Sequence, residues 1–237
     1  MSEAKSGATG ETVSDAEVQA LAGRLSEVRA RIAAACARAG RAPSEVTLVA
    51  VSKLKPALAV RAAYAAGQRD FGENYAQELR DKAQELSALS GLRWHAIGPL
   101  QTNKVKYVAR AACAFHALDR LEVAEELSRR RLEAPLPCYV ELNLGAEATK
   151  GGLSPDALPA FLERVRALPG LRVEGLMALP PPTDDAAEAR AHFARLRTLA
   201  HANGLRGLSM GTTHDFELAV EEGATLVRVG TALFGER

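Results

Sequence analysis

The sequence predicts a single-domain α/β protein, a (β/α)8 barrel of the TIM type with an added long N-terminal helix. Eight short apolar runs follow one another along the chain, and helical stretches separate them at intervals of roughly 20–35 residues. The length of 237 residues fits one such barrel, because these barrels often contain about 200–250 residues in a single domain. Periodicity alone leaves an open, doubly wound sheet as the alternative.

The first helix is expected over residues 15–39. Ser14 and Glu17 have the spacing of a capping box at its start, and Gly40 would end it. Apolar residues recur at helical spacing between these ends, at Val18, Leu21, Leu25, Val28 and Ile32. Residues 1–12 are small, polar and mixed in charge, so we expect a disordered N-terminal segment over residues 1–13, followed by the barrel domain over residues 14–237.

The first predicted strand, within Val46–Val51, is almost entirely apolar, which is typical of a strand buried on both faces of a parallel sheet. The eight predicted strands are 47–51, 69–71, 93–97, 112–116, 137–143, 172–177, 206–209 and 225–229. A glycine precedes several of them and is expected to end the preceding helix in the left-handed conformation. These glycines are Gly67, Gly91, Gly170, Gly204 and Gly223.

Composition excludes several classes of protein. Hydrophobic residues make up 47% and charged residues 25% of the chain, and the net charge is +1. This balance argues against a nucleic-acid-binding face, and no apolar run approaches the roughly 20 residues that a membrane span needs. Three widely spaced cysteines and the lack of a signal peptide indicate free thiols and a cytoplasmic location.

Lys53 is the first candidate functional residue, because the active face of a barrel is built from the loops after its strands. Strand alternation places it on the same side as Val49 and Val51, facing the barrel mouth. Partial burial there would lower its pKa and leave a neutral amine able to attack a carbonyl. The alternatives are a solvated lysine at a strand end and a role for Lys55, which has the same parity.

A second candidate site is the pair of loops after the seventh and eighth strands. Gly211-Thr-Thr213 and Gly230-Thr231 combine close backbone approach with hydroxyl donors, as phosphate sites of barrels do. Helix capping by Thr213 and Thr231 is the alternative. Arg228 stands in an apolar strand and needs an acceptor, either a carboxylate or a ligand nitrogen.

Other polar residues give weaker signals. Glu73, Asn74, His95 and Asn143 follow or end predicted strands, but a single histidine there is more often structural than catalytic. His116, His192 and His201 belong to no recognisable constellation, and the sequence contains no metal-ligand cluster.

An ordered set of motifs resembles one family, the pyridoxal phosphate homeostasis proteins, over roughly four-fifths of the chain. The motifs are Val49-Ala-Val-Ser-Lys53, Phe71-Gly-Glu-Asn-Tyr75, Trp94-His-Ala-Ile-Gly-Pro-Leu-Gln-Thr-Asn-Lys104, Gly175-Leu-Met-Ala178, Leu208-Ser-Met-Gly211 and Val227-Arg-Val-Gly-Thr231. The resemblance implies a barrel similar to the N-terminal domain of alanine racemase that binds pyridoxal 5′-phosphate (PLP).

The resemblance also implies roles for particular residues. Lys53 would form a Schiff base with the aldehyde of PLP, Arg228 would face the pyridine nitrogen, and Asn74 would contact the ring. The implied phosphate-binding residues are Ser209, Thr213, Gly230 and Thr231.

The implied function is PLP homeostasis in the cytoplasm, by buffering the cofactor or delivering it to apo-enzymes, without robust catalysis. An arginine at the pyridine nitrogen makes PLP a poorer electron sink. The sequence ends at Arg237, so we expect no second domain to supply a further catalytic base. PLP and apo PLP-enzymes are the expected partners, with no nucleic acid and no membrane, and a monomer is favoured over a dimer.

Three other functions remain open at this point. A weak PLP-dependent racemase or decarboxylase would need a base, for which His95 and Tyr75 are the candidates. A Schiff-base aldolase would use Lys53 and the phosphate loops on a sugar phosphate. An interaction protein would present the apolar face of the first helix to a partner.

Overall fold

Eight parallel strands form a closed barrel in the order in which they occur along the chain, in a computed structural model that describes residues 13–145 and 151–236. The strands are β1 (Thr47–Val51), β2 (Asp70–Glu73), β3 (Arg93–Ala96), β4 (Ala114–Leu118), β5 (Leu136–Leu142), β6 (Leu171–Ala178), β7 (Gly207–Ser209) and β8 (Leu226–Val229). Each lies within two residues of its predicted bounds. Pairing of β1 with β8 closes the barrel, so the barrel is confirmed over an open sheet.

Helices surround the barrel and follow the strands in alternation. They are α1 (Asp15–Arg38), α2 (Ala57–Ala65), α3 (Ala76–Glu85), α4 (Val105–Ala111), α5 (Leu121–Arg130), α6 (Leu158–Arg166), α7 (Ala186–Ala202), α8 (Phe216–Glu221) and α9 (Thr231–Phe234). None of the helices that the structure describes combines the length and apolar character needed to cross a membrane. All three cysteines are free thiols, as expected.

Helix α1 has the capping box that the sequence predicts. The Glu17 N–H donates to Ser14 Oγ at 3.3 Å, and the Ser14 N–H donates to Glu17 Oε2 at 2.9 Å. Its apolar face is buried against α2, α8 and α9. The barrel itself therefore covers the surface that an interaction protein would have offered to a partner. Residues 1–12 of the segment expected to be disordered lie outside the described residues.

One predicted helix end differs from expectation. Gly67, Gly91, Gly204 and Gly223 have positive φ angles as predicted, but Gly170 does not. Its N–H donates to Ser128 Oγ at 3.0 Å, and a Cβ at this position would overlap the Ser128 carbonyl. Gly170 is therefore required by close packing against α5 and not by a left-handed turn.

The interior of the barrel is unusually polar. Interiors of such barrels are dominated by bulky branched apolar side chains, yet here the buried residues include Asp70, His95, His116, Ser209 and Arg228. The apolar core lies mainly between the strands and the helices. Buried polar groups are costly unless they are hydrogen-bonded, so these side chains must bond to one another.

Two glycines allow β6 and β7 to pair beside this polar interior. Gly175 lies opposite Gly207 in the sheet, and a Cβ at Gly175 would overlap the Gly207 backbone. A Cβ at Gly207 would lie 2.7 Å from a ring carbon of Tyr139. The missing side chains therefore let the strands approach and leave room for the tyrosine ring.

Gly175→Ala is expected to destabilise the barrel by several kcal/mol, because the new methyl overlaps backbone that cannot move without breaking the β6–β7 pairing. The measurement is thermal unfolding of the purified protein. Gly23→Ala is the matched control, since nothing lies within 4 Å of a Cβ at this α1 position. Alanine there should stabilise the helix by about 0.5–1 kcal/mol. A Gly175→Ala protein as stable as the wild type would contradict the packing argument.

Candidate functional site

A cavity of about 320 Å³ opens where the carboxyl ends of the strands meet. Six of the seven predicted site residues line it together, namely Lys53, Asn74, Thr213, Arg228, Gly230 and Thr231. Depressions of about 520 and 870 Å³ lie elsewhere on the molecule, but neither contains any predicted site residue. Volume therefore does not identify the site, whereas the convergence of polar groups at the active face does.

Ser209, the seventh predicted residue, lies beneath the cavity and is not among the residues that line it. Its side chain is fully buried. The Ser209 hydroxyl oxygen is 2.6 Å from Arg228 Nη1 and 2.8 Å from His116 Nδ1. The structure therefore brings the hydroxyl of Ser209 to Arg228 and not to Thr213, Gly230 and Thr231.

Lys53 lies in the turn after β1, and it lines the cavity with Val51 as the strand alternation predicts. The next residue, Leu54, has a φ of 60°, the one positive φ angle among the described non-glycine residues. Such a conformation costs about 1 kcal/mol or more, and the Leu54 N–H donates to Glu78 Oε1 at 2.7 Å. This bond from α3 holds the strained turn that presents Lys53.

A buried lysine supports the same turn from below. Lys82 Nζ donates at 2.7 Å to the Ser52 carbonyl, to Glu73 Oε1 and to Glu78 Oε1. Burial raises the pKa of Glu73, although the Lys82 charge opposes the shift. Removing Lys82 would leave the buried Glu73 carboxylate without its ion-pair partner, so the Lys53 turn is anchored to β2 and α3.

Lys55, the alternative lysine, lies outside the cavity. Its Nζ donates to the Glu236 carbonyl at 2.9 Å near the C-terminal end of the described chain, and Lys55 is not among the residues that line the cavity.

The loops after β7 and β8, which the sequence predicts as a phosphate site, are hydrogen-bonded to each other beside the cavity. The Gly230 N–H donates to Thr213 Oγ1 at 3.3 Å, which joins the loop after β7 to the loop after β8. Gly211 has a φ of 90°, and a Cβ there would lie 2.5 Å from that of Ala219. Only glycine fits this position, so Gly211 lets the loop after β7 pack closely against α8.

Arg228 is buried in β8 and reaches the floor of the cavity. Its Nη1 donates to Ser209 Oγ at 2.6 Å and its Nη2 to the Ala178 carbonyl at 3.0 Å. Burial lowers the pKa of Arg228 to about 10, while the charges of Glu141 and Asp215 oppose this shift. The guanidinium is therefore still a cation at neutral pH, and its two acceptors, the Ser209 hydroxyl and the Ala178 carbonyl, are uncharged.

A chain of hydrogen bonds crosses the barrel beneath Arg228. His116 Nε2 is 2.9 Å from His95 Nδ1, and His95 Nε2 is 3.0 Å from Asp70 Oδ1. The expectation that His116 belongs to no constellation is thus wrong. Its partners His95 and Ser209 are 21 and 93 residues away in sequence, so no local motif could reveal them.

The two histidines of this hydrogen-bonded chain differ in protonation. Burial alone would lower the pKa of His95, but Asp70 and Cys113 raise it to about 9. Burial alone would raise the pKa of Asp70, but His95 and Arg93 lower it to about 2. Burial and the charges of His95 and Arg228 hold the pKa of His116 well below its ordinary value. Asp70 and His95 are therefore an ion pair, and His116 is neutral.

Glu141 and His214 also line the cavity, although the sequence did not single them out as site residues. Burial and the charge of Asp119 raise the pKa of Glu141 to about 7, against the opposing effect of Arg228. By contrast, His95 and Tyr75, the two bases considered from the sequence, are not among the residues that line the cavity. The sequence signal that could have identified Glu141 is its place in β5, two residues after Tyr139. Side chains two residues apart in a strand lie on the same face.

Gly98 positions Asn74 at the cavity wall. Both residues line the cavity, and a Cβ at Gly98 would lie 2.9 Å from Asn74 Cα. Only a residue without a side chain allows this approach, so the loop after β3 supports the loop after β2.

The fold and cavity define a class of protein, a single parallel barrel with a lysine and a buried arginine at its mouth. A family model described as "Alanine racemase, N-terminal domain" matches residues 24–237. A pyridoxal phosphate homeostasis protein of Pseudomonas aeruginosa is 51% identical over 92% of this chain and 96% of its own length. The Escherichia coli protein of the same name is 42% identical over 92% of this chain and 97% of its own length.

Solved structures give the same answer. PipY of Synechococcus elongatus, whose structure was determined with PLP bound, is 39% identical and has a TM-score of 0.81. The match covers 91% of this chain and all of PipY. Alanine racemase of E. faecalis, at 13% identity and a TM-score of 0.69 over 96% of this chain and 62% of its own, shares the fold. The chain belongs to the alanine racemase N-terminal domain family and, within it, to the pyridoxal phosphate homeostasis proteins.

The Asp70–His95 ion pair predicts how stability depends on pH. A depressed carboxyl pKa stabilises the fold above the ordinary value, and this contribution is lost as pH falls from about 4 towards 2. A raised histidine pKa stabilises the fold below its ordinary value, and this contribution is lost as pH rises from about 6.5 through 9. Stability from the pair is therefore greatest between about pH 4 and 6.5.

Asp70→Asn should lower the free energy of unfolding by about 2 kcal/mol near pH 5 and flatten both limbs of the pH profile. Urea unfolding at a series of pH values measures this. The control is Asp81→Asn, because the exposed Asp81–Arg80 pair should contribute little. A profile for Asp70→Asn that parallels the wild type would rule out the ion pair.

Proposed function

We propose that this protein binds PLP through a Schiff base with Lys53 and acts in cytoplasmic PLP homeostasis, buffering the cofactor or delivering it to apo-enzymes. The observation that carries the proposal is the meeting of Lys53, Arg228 and the two glycine–threonine loops in one cavity. The pyridoxal phosphate homeostasis relatives and the PLP-bound PipY structure support it.

The chemistry of the cavity fits PLP. The cofactor supplies an aldehyde that condenses reversibly with an amine, a phosphate and an aromatic ring. Lys53 offers the amine, Thr213 and Thr231 offer hydroxyls beside the backbone of Gly230, and Arg228 offers a planar donor. A volume of about 320 Å³ is within the range of small-molecule sites, about 300–1,000 Å³.

Each of these residues has a distinct part in binding. Lys53 holds the cofactor covalently, and the bonds from Glu78 and Lys82 keep its turn in place. Thr213, Gly230 and Thr231 hold the phosphate, and Asn74 contacts the ring. Ser209 acts through Arg228, because its hydroxyl is engaged beneath the cavity.

Arg228 favours storage over catalysis. A guanidinium donates hydrogen bonds and cannot accept them, so it keeps the pyridine nitrogen unprotonated and weakens the cofactor as an electron sink. His95 is bonded to Asp70 and His116 in the barrel interior, and Tyr75 is 54% exposed. Neither is among the residues that line the cavity, which supports a carrier without robust turnover.

A weak PLP-dependent racemase or decarboxylase is the second candidate, and Glu141 is the observation that favours it. A carboxyl group with a pKa of about 7 on the cavity wall is poised to exchange a proton near neutral pH.

The first test is the visible absorption spectrum of the protein mixed with PLP. The wild type should show the band of covalently bound PLP, and Lys53→Ala should lose it. Lys55→Ala is the matched control and should keep the band, because Lys55 bonds to the Glu236 carbonyl outside the cavity. Borohydride reduction and mass spectrometry should then find a pyridoxyl group on Lys53.

Two results would overturn this assignment. A band that survives in Lys53→Ala would place the covalent bond on another lysine. A wild-type protein without any band would rule out PLP, and a glycosyl adduct after reduction with a sugar phosphate would indicate an aldolase.

The second test separates delivery from catalysis. Loaded protein should reactivate an apo PLP-enzyme even when a scavenger removes free PLP, and size-exclusion chromatography should show a monomeric carrier. Long incubation of the loaded protein with amino-acid enantiomers should leave them unchanged. Slow turnover that Glu141→Gln abolishes would instead favour the weak enzyme, and reactivation only through free PLP would argue against direct delivery.

A further inference from the structure

Four buried residues link the floor of the cavity to the opposite end of the barrel. Asp70, His95, His116 and Ser209 form one hydrogen-bonded chain that ends on Arg228. Only Arg228 among the five lines the cavity. The binding of PLP proposed above leaves the other four without a direct part.

We propose that Ser209 and His116 are positioning residues that fix the guanidinium of Arg228 at the cavity floor, with the Asp70–His95 ion pair setting the direction of the hydrogen bonds. The inference rests on the proposed PLP site, since it concerns how Arg228 is presented to the ring. These buried groups would act on the cofactor only through Arg228.

The direction of each bond follows from the charges. A protonated His95 donates from both nitrogens, so Nε2–H points to Asp70 and Nδ1–H points to His116. His116 Nε2 must then accept, which leaves its proton on Nδ1 for donation to Ser209 Oγ. Ser209 thus accepts from His116 and from Arg228 at once, using both lone pairs of its oxygen.

This arrangement orients the Arg228 guanidinium with two of its N–H donors. A guanidinium carries five N–H donors, of which Ser209 and the Ala178 carbonyl take one each. We expect the remaining N–H groups to serve a ligand in the cavity. Because the two anchors hold different terminal nitrogens, the plane of the guanidinium cannot rotate freely.

The charged groups around the chain explain why two histidines are used. His95 faces Asp70 and Cys113, which stabilise its positive charge, and Arg93 bonds to the same Asp70 carboxylate. Arg228 faces the carboxylates of Glu141 and Asp215. The neutral ring of His116 lies between these two cations and packs on Tyr139, with ring centroids 4.8 Å apart. His116 therefore fixes the direction of the hydrogen bond to Ser209 without adding a third positive charge to the interior.

Effects on PLP binding and effects on folding should rank differently along the chain. The influence on Arg228 should be largest for Ser209, smaller for His116 and smallest for Asp70, because the bonds become more remote. Stability should depend most on Asp70, which belongs to the buried ion pair. A merely structural network would give one ranking for both properties.

The test compares Ser209→Ala and His116→Leu with the wild type. The readouts are the dissociation constant of PLP and the pH midpoint at which the absorption band of bound PLP changes. Ser209→Ala should weaken binding about tenfold or more, since it removes a hydrogen bond to a charged group. It should also shift the midpoint by about half a pH unit or more. His116→Leu should change both in the same direction by less.

Two further variants separate positioning from general damage. His116→Asn places an amide N–H where the Nδ1–H stood and should restore part of the binding. Ser128→Ala removes another buried hydroxyl, which accepts from the Gly170 N–H on the far side of the barrel wall, and should leave binding and midpoint unchanged. Thermal unfolding without PLP checks that each variant is folded.

Wild-type affinity and midpoint in folded Ser209→Ala would overturn the inference, and this variant decides alone if His116→Leu does not fold. Equal changes in Ser128→Ala would also overturn it. A wild-type protein that shows no band with PLP would mean that the proposed function has failed, a result distinct from both.

Discussion

Burial of a guanidinium at the carboxyl end of β8 is the constraint on which the rest of the barrel interior depends. Arg228 cannot be neutralised at physiological pH, so it needs acceptors that the interior must supply. Ser209 and the Ala178 carbonyl supply them from β7 and β6. Once Ser209 is committed to Arg228, His116 and then His95 and Asp70 follow as successive partners. The polar interior is therefore one consequence of one buried cation.

A second constraint acts on the neighbouring strand, since β1 pairs with β8 and the turn after β1 is held in a costly conformation. A positive φ at Leu54 persists only because surrounding groups determine it. Glu78 binds its N–H, and Lys82 binds the preceding Ser52 carbonyl. Both contacts come from α3, so the position of the lysine at the mouth is fixed by a rigid element and not by the loop itself.

Periodicity predicted the strands to within two residues, and alternation along β1 predicted the direction of Lys53. Both are local properties, which a single sequence displays. The hydrogen-bonded chain was missed because its members come from β2, β3, β4 and β7, whose register only the closed barrel establishes. Ser209 was assigned from the resemblance as a phosphate ligand, yet strand parity in β7 turns its hydroxyl inward below the loops. Whether a strand residue lines the cavity or lies buried below it can be decided only from the geometry of the closed barrel.

The two constraints together fix the groups on either side of the cavity, Lys53 through its turn and Arg228 through its two acceptors. The proposed role in homeostasis requires these fixed groups to contribute equally to the binding of a ground state and of any later state. Interactions that are equally strong throughout lower the free energy of the complex without accelerating a reaction. Glu141, with its pKa near 7, is a cavity group whose charge can change at neutral pH. The reversible covalent bond proposed at Lys53 would, within such fixed surroundings, suit the retention and release of a reactive aldehyde.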